Sequence, residues 1–277
     1  MLRFLAMTAL AGLPALAAQP DTIDEALKRM YDFDFPASQE ILGRYIAQHP
    51  QEALPYAFRA SAYLFYELDR MSILQSEFFL DDNRIAEKKR KLEPDPLIRQ
   101  RFLKAVSDTE AHAGAALNAD PNDRQALFAM SIAQGVSTDY MAFVEKHQIA
   151  SLSVAKRSNA YAQRLLRLDP KFFDAYLTAG ISEYMIGSLP FFIRWFVHFE
   201  NVDGDKKRGV ARLELVSREG HYFRPFSKIL LATIALREKR PRDAQRFLQD
   251  LTRDYPQNPL FHRELEKLNA KVGVAGN

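Results

Sequence analysis

Six histidines, His49, His112, His147, His198, His221 and His262, are the first residues to test for metal or acid-base chemistry. No two of them stand four apart, and none belongs to a His-Glu-x-x-His run, the spacing that puts two imidazoles on one helix face around zinc. His112 lies two positions from Glu110 and His198 two from Glu200, a separation that sends side chains to different sides of a helix. The chain has no cysteine, so thiolate ligands, thiol nucleophiles and disulfides are all ruled out. Gly180-Ile181-Ser182-Glu183-Tyr184 opens like the nucleophile turn of a hydrolase but lacks its second glycine. Gly204 and Gly209 have phosphate-loop spacing, yet Val210 stands where the lysine must be, so the pair reads as a turn leading into a helix. Asp32, Asp34, Asp81 and Asp82 fall in turns, where a carboxylate caps a helix. The expectation is a protein without a catalytic set, metal or cofactor, whose work is binding.

One stretch has the composition of a contact surface. Ser188 to Phe199 carries the single tryptophan, Trp195, together with Phe191, Phe192, Phe196 and Phe199. Each such side chain is worth roughly 1.5–3 kcal/mol when buried, so leaving them all in water would forgo on the order of 10 kcal/mol. Three coverings are open: the chain's own helices, a membrane interface, or an apolar ligand or partner. Glu200, Asp203 and Asp205 follow directly, and the stretch lacks a strongly basic polar face of its own.

The elements that must position these residues follow from apolar spacing and from turns. Proline after a short polar turn closes four segments, at Pro50, Pro121, Pro170 and Pro256, and each is followed by a new apolar-periodic run. Six residues after the first three prolines stand Tyr56, Leu127 and Tyr176; ten after stand Ala60, Ser131 and Gly180. A large residue fills the seam of a helical hairpin, and a small one lets the paired helix come close. The spacing predicts helices near 22–33, 36–48, 52–70, 97–118, 122–137, 149–168, 172–186, 206–219, 222–238, 241–254 and 258–271, with a further one possible in 72–92, and no strand.

These recurrences resemble the tetratricopeptide repeat, whose period is about 34 residues. The resemblance implies an all-α solenoid of about five helical hairpins. Pro225 to Asn258 gives the closest unit, and Gln19 to Gln51 a weaker one. Extra residues fall after the first helix of three hairpins, near Met71 to Pro96, Asp139 to Ile149 and Ser188 to Asp205, on one edge of the solenoid. Gly187-Ser188-Leu189-Pro190, Arg194, Gly204 to Gly209, Leu213 and Leu215 also resemble a segment of the inclusion-body-clearance family of tetratricopeptide proteins, about a quarter of the chain when extended loosely to Pro256. That likeness implies an adaptor or scaffold, some relatives working at intracellular membranes.

In such a solenoid the first helices line the concave face. The positions read Leu54, Ala57, Ser61 and Leu64, then Gln125, Phe128, Ile132 and Gly135, then Asp174, Leu177, Ile181 and Tyr184, then Phe226, Ile229, Thr233 and Leu236. Phe128, Ile132, Leu177, Ile181, Tyr184 and Ile229 are the candidate partner-binding residues. So apolar a face must be filled, by the Phe191 to Phe199 segment in part or by a partner.

Composition supports a folded chain: 47% of the 277 residues are hydrophobic and 26% charged. A net charge of +3 is too small to argue for nucleic acid, and the runs Lys88 to Lys91 and Lys206 to Arg208 read as solvated helix faces. Arg3, the apolar run Phe4 to Leu13 and Ala15-Leu16-Ala17 describe a secretory signal peptide over 1–18, leaving 19–277 as one repeat domain, periplasmic or secreted. The sequence thus predicts an exported, non-catalytic scaffold that holds a protein or peptide, with membrane or apolar-ligand contact through 188–199 as the alternative.

Overall fold

The computed structural model describes residues 22–75, 92–188 and 204–274. Among them the chain is all-helical: α1 (Ile23–Tyr31), α2 (Phe35–Gln48), α3 (Ala53–Arg70), α4 (Pro96–Ala119), α5 (Arg124–Asp139), α6 (Gln148–Leu168), α7 (Tyr176–Ser188), α8 (Lys206–Glu219), α9 (Arg224–Arg237), α10 (Pro241–Asp254) and α11 (Pro259–Val274). Each predicted helix is present, and no strand is found among the described residues. The signal segment 1–18 and the aromatic residues Phe191, Phe192, Trp195 and Phe196 lie outside the described residues.

Polar caps start the helices where the sequence places them. Thr22 accepts the N–H of Glu25, Asp34 that of Ala37, Asp95 those of Leu97 and Ile98, Asp123 that of Ala126, and Asp205 those of Lys207 and Arg208. Pro36, Pro96, Pro225 and Pro241 occupy first turns, where no amide partner is lost.

Packing is sequential: α1 lies on α2, α3 on α4, α5 on α6, α7 on α8 and α9 on α10, with α11 against α10. Successive hairpins join through α3 and α5 and through α8 and α9. The helices thus stack in adjacent pairs, as in an α-solenoid. The proline turns repeat in atomic detail. Tyr56 donates to the carbonyl of Pro50 at 3.1 Å and Tyr176 to that of Pro170 at 3.2 Å, while the His262 ring nitrogen lies 2.9 Å from the Pro256 carbonyl, each six residues on. Pro121 has the buried Leu127 at that place, and Arg164 reaches its carbonyl instead.

Small residues ten after the prolines sit where helices touch. Ser131 and Ser158 exchange hydroxyl-to-carbonyl bonds across α5 and α6, at 3.2 and 2.8 Å. Gly180 lies against Gly209 across α7 and α8: a Cβ on Gly209 would fall 2.8 Å from the Gly180 carbonyl oxygen and 2.6 Å from the Tyr184 nitrogen.

Two features differ from the sequence expectation. The extra residues at 139–149, where the spacing predicts no helix before 149, include a π-helical turn, Tyr140–Val144, followed by Lys146 at φ 63°. The second difference is in what fills the inner face. Tyr222 and Phe223, from the turn between α8 and α9, and Phe226, in the first turn of α9, enter it: Tyr222 and Phe223 pack on Phe58 and Phe128, and Phe226 stands edge-on to Phe65. A segment that the spacing predicts as the start of the 222–238 helix is an internal wedge.

The last hairpin also closes on the first. Asn258 donates to the carbonyl of Tyr31 at 2.7 Å, the Gln257 N–H to Asp32 at 3.3 Å, and the Tyr31 and Tyr255 rings lie 5.4 Å apart. His221 pairs with Asp24 at 2.9 Å beside them.

Candidate functional site

The six residues singled out on the concave face are distributed over three cores and do not form one surface. Phe128 and Ile132 belong to the core around α3, α5 and the wedge; Leu177, Ile181 and Tyr184 pack with Leu213, Val216, Leu231 and Ile234; Ile229 joins the last hairpin. Phe128 is 1% exposed, and Ile132, Leu177 and Tyr184 are likewise buried, while Ile181 and Ile229 are half-buried. For Phe128 the physical reason is the wedge, whose rings pack on it, while Leu177, Ile181 and Tyr184 are covered by residues of α8 and α9.

A solvent-open cleft of about 260 Å³ lies elsewhere, between α4, α5, the π turn and α6. Phe102 and Tyr140 form its floor, stacked with ring centroids 4.3 Å apart. Leu103, Met141 and Val154 give it apolar walls. The rim is polar and prearranged. Gln134 is buried; its amide nitrogen donates to Glu110, and its oxygen accepts the Arg157 Nε–H at 2.8 Å. Opposite, Arg99 reaches Glu145 through Nε at 3.0 Å and through Nη2 at 2.8 Å. One carboxylate and one guanidinium thus stand on each side, so the rim carries no net sign.

Beneath the floor, Glu67 is fully buried and accepts three hydrogen bonds, from Arg70 Nε and Nη2 at 2.9 and 2.8 Å and from the Asp95 N–H at 2.8 Å. A buried carboxylate so completely paired serves to hold the end of α3 against the start of α4. Burial raises the Tyr140 phenol above its ordinary range, and the charges of Glu67 and Glu145 add to the rise. Its hydroxyl is enclosed and has no hydrogen-bond partner among the described residues. The π turn is what rotates Tyr140 over Phe102, and such turns recur at functional places in helices. At its edge burial lifts the Asp139 carboxyl to about 7.

The chemical vocabulary of the cleft is hydrogen-bond donors and acceptors around an aromatic floor. No histidine lines it, and no group of three metal-ligating side chains is found among the described residues. Sequence reasoning missed Arg99, Gln134, Glu145 and Arg157, which sit on separate elements. The one available signal was the excess length near 139–149, which contributes Tyr140, Met141 and Glu145. Comparison of the chain with protein-family models, with curated proteins and with solved structures finds no match.

Proposed function

We propose that the chain is a non-catalytic binding or scaffold protein of the exported compartment that holds a peptide or protein segment, gripping it at the cleft over Phe102 and Tyr140. The observation that carries this reading is the rim: Glu110, Gln134 and Arg157 on one side and Arg99 with Glu145 on the other are already oriented by one another, above the stacked and buried rings of Phe102 and Tyr140. Such a set can meet the amides and polar side chains of a segment without first being ordered, which lowers the entropic cost of binding. The volume is at the small end for ligand pockets and suits one or two side chains of a longer partner. Leu103, 42% exposed, offers apolar area at the mouth.

The repeated proline turns and the small residues at the helix crossings support reading the hairpins as tetratricopeptide-like, a fold used to hold other proteins. A partner directed at Phe128, Ile132, Leu177 or Tyr184 would first have to displace side chains that the chain itself packs there. Selection of displayed random peptides on the protein tests the reading. Peptides enriched on the native chain should bind at least about tenfold more weakly to Arg157→Ala and to Leu103→Asp, each substitution removing a contact worth about 1–2 kcal/mol. Equal binding to both variants would remove the cleft from the account.

A further inference from the structure

The formal charges on the rim of the cleft cancel, but its hydrogen-bonding capacity does not. Arg157 donates one bond, from Nε to the Gln134 oxygen at 2.8 Å, and its two Nη groups have no partner among the described residues. Arg99 commits Nε and Nη2 to Glu145 and keeps Nη1 unused. On the acceptor side, Glu110 has one oxygen taken by the Gln134 amide. The unmet capacity of this rim is mainly in donors.

Gln134 is what keeps the Arg157 fork open. It is buried and bonded to both neighbours, so a guanidinium and a carboxylate that could pair with each other are held instead by the two ends of a neutral amide. With Nε engaged, Nη1 and Nη2 present two parallel donors that match the two oxygens of one carboxylate. A phosphate dianion would call for more positive charge than a single guanidinium near Glu110 supplies, since Arg99 is already neutralised by Glu145.

The space beside the fork is apolar. Val154 precedes Arg157 by three positions on α6, which makes the two side chains neighbours, about 5–6 Å apart at Cβ, and both line the cleft. Leu103 and Met141 continue this wall. A carboxylate at the fork therefore needs an apolar group next to it. In an extended segment, residues two apart share a face at a distance of about 6.7 Å, so an acid and an apolar side chain in that relation fill both places. Polar groups stand on both sides of the cleft, Arg157 with Gln134 on one and Arg99 with Glu145 on the other, which suits a segment that crosses it and continues.

We infer that the cleft selects an extended segment whose aspartate or glutamate side chain binds Nη1 and Nη2 of Arg157, with an apolar side chain two positions away against Leu103, Met141 and Val154. This rests on the reading of the cleft as a peptide site and names its ligand. Three fluorescently labelled peptide mixtures test it on the full chain by anisotropy. The first, blocked at both ends, fixes Glu-x-Leu at its centre; the second, equally blocked, fixes Gln-x-Leu; the third repeats the second with a free terminal carboxylate. No other acid occurs in any of them. The first should bind at least about tenfold more tightly than the second, and the third should match the second. That comparison is made on the unaltered protein, so it does not depend on a variant folding. In Arg157→Ala the gap between the first two should shrink to within about twofold, whereas Leu103→Asn should weaken the first and leave the gap in place. Equal binding of the first two, both weakened by Leu103→Asn, would overturn the acidic preference while the cleft remained a peptide site. A gap that persists in Arg157→Ala would assign the carboxylate to another cation and overturn the inference, and tightest binding of the third mixture would overturn it in favour of chain ends. No binding of any mixture would overturn both the inference and the reading beneath it.

Discussion

Asp174 accepts the backbone N–H of Phe223 at 2.8 Å, and its other oxygen accepts that of His221 at 3.0 Å. The carboxylate is 5% exposed and sits in the short 3-10 turn ahead of α7. From there it fixes the turn that carries Tyr222 and Phe223 into the centre of the molecule. The residues are far apart in sequence, and one side chain satisfies two amides that would otherwise be left unpaired away from water. The aromatic filling of the inner face is thus held by a polar anchor.

Replacing Asp174 by Ala leaves both amides without their acceptor and should cost about 2–4 kcal/mol. Asp174→Asn keeps one acceptor but points an N–H₂ group at a donor, so an intermediate loss is expected. Urea unfolding gives the cost, and binding of a hydrophobic dye reports whether the inner face opens. An unchanged midpoint for Asp174→Ala would mean that the wedge is held by its rings alone.

The crossing of α7 and α8 predicts a contrast between two glycines in helices. On Gly209 a Cβ would meet the Tyr184 nitrogen at 2.6 Å and the Gly180 oxygen at 2.8 Å, so Gly209→Ala forces backbones apart and should destabilise by about 3 kcal/mol. Gly114, in α4, has nothing within 4 Å of such a Cβ, and Gly114→Ala should stabilise by about 0.5–1 kcal/mol through helix propensity. Thermal unfolding of the two variants should shift in opposite directions. A shift of the same sign would show that the helices do not approach this closely.

Asn258 does two jobs that substitutions can separate. Its oxygen accepts the N–H groups of Leu260 and Phe261 to start α11, and its nitrogen donates to Tyr31 at the end of α1. Asn258→Ala should lose both, about 2–3 kcal/mol. Asn258→Asp keeps the cap and gives up the donor, so α11 should remain while α1 loosens from the last hairpin. Hydrogen exchange over 23–31 should accelerate in Asn258→Asp more than exchange over 259–271. Uniform acceleration along the chain would argue that the closure has no separate existence.

The elements were legible because their signals are local. Apolar spacing, Asp and Thr caps and proline stops act within a turn or two, and they place the eleven α-helices of the described residues within a few residues. The close crossing at Gly180 was legible for the same reason, since a small residue recurs at a fixed distance from each proline. The candidate surfaces were not. Arg99, Gln134 and Arg157 meet only because α4, α5 and α6 pack together. Nothing in the spacing of Tyr222 and Phe223 distinguishes an aromatic wedge from a turn flanking a helix; Asp174 makes the difference, and its partners are backbone amides, which carry no sequence signature.

Asp139 gives the pH prediction. Its carboxyl has an ordinary value of 3.8, which burial raises to about 7, so the folded chain favours the protonated form. Proton binding that is tighter in the folded than in the unfolded chain stabilises the fold at low pH. The contribution is complete below about pH 4 and is lost as pH rises through about 7, amounting to at most about 4 kcal/mol for a shift of this size. Asp139→Asn mimics the neutral carboxyl and should remove this slope. The difference in urea midpoint between variant and native chain should therefore be small at about pH 4.5 and should grow in favour of Asp139→Asn up to about pH 8. Should the native chain instead gain stability over the variant as pH rises, the carboxylate must have a favourable partner in its ionised form, and the end of α5 would have to be redrawn around that charge.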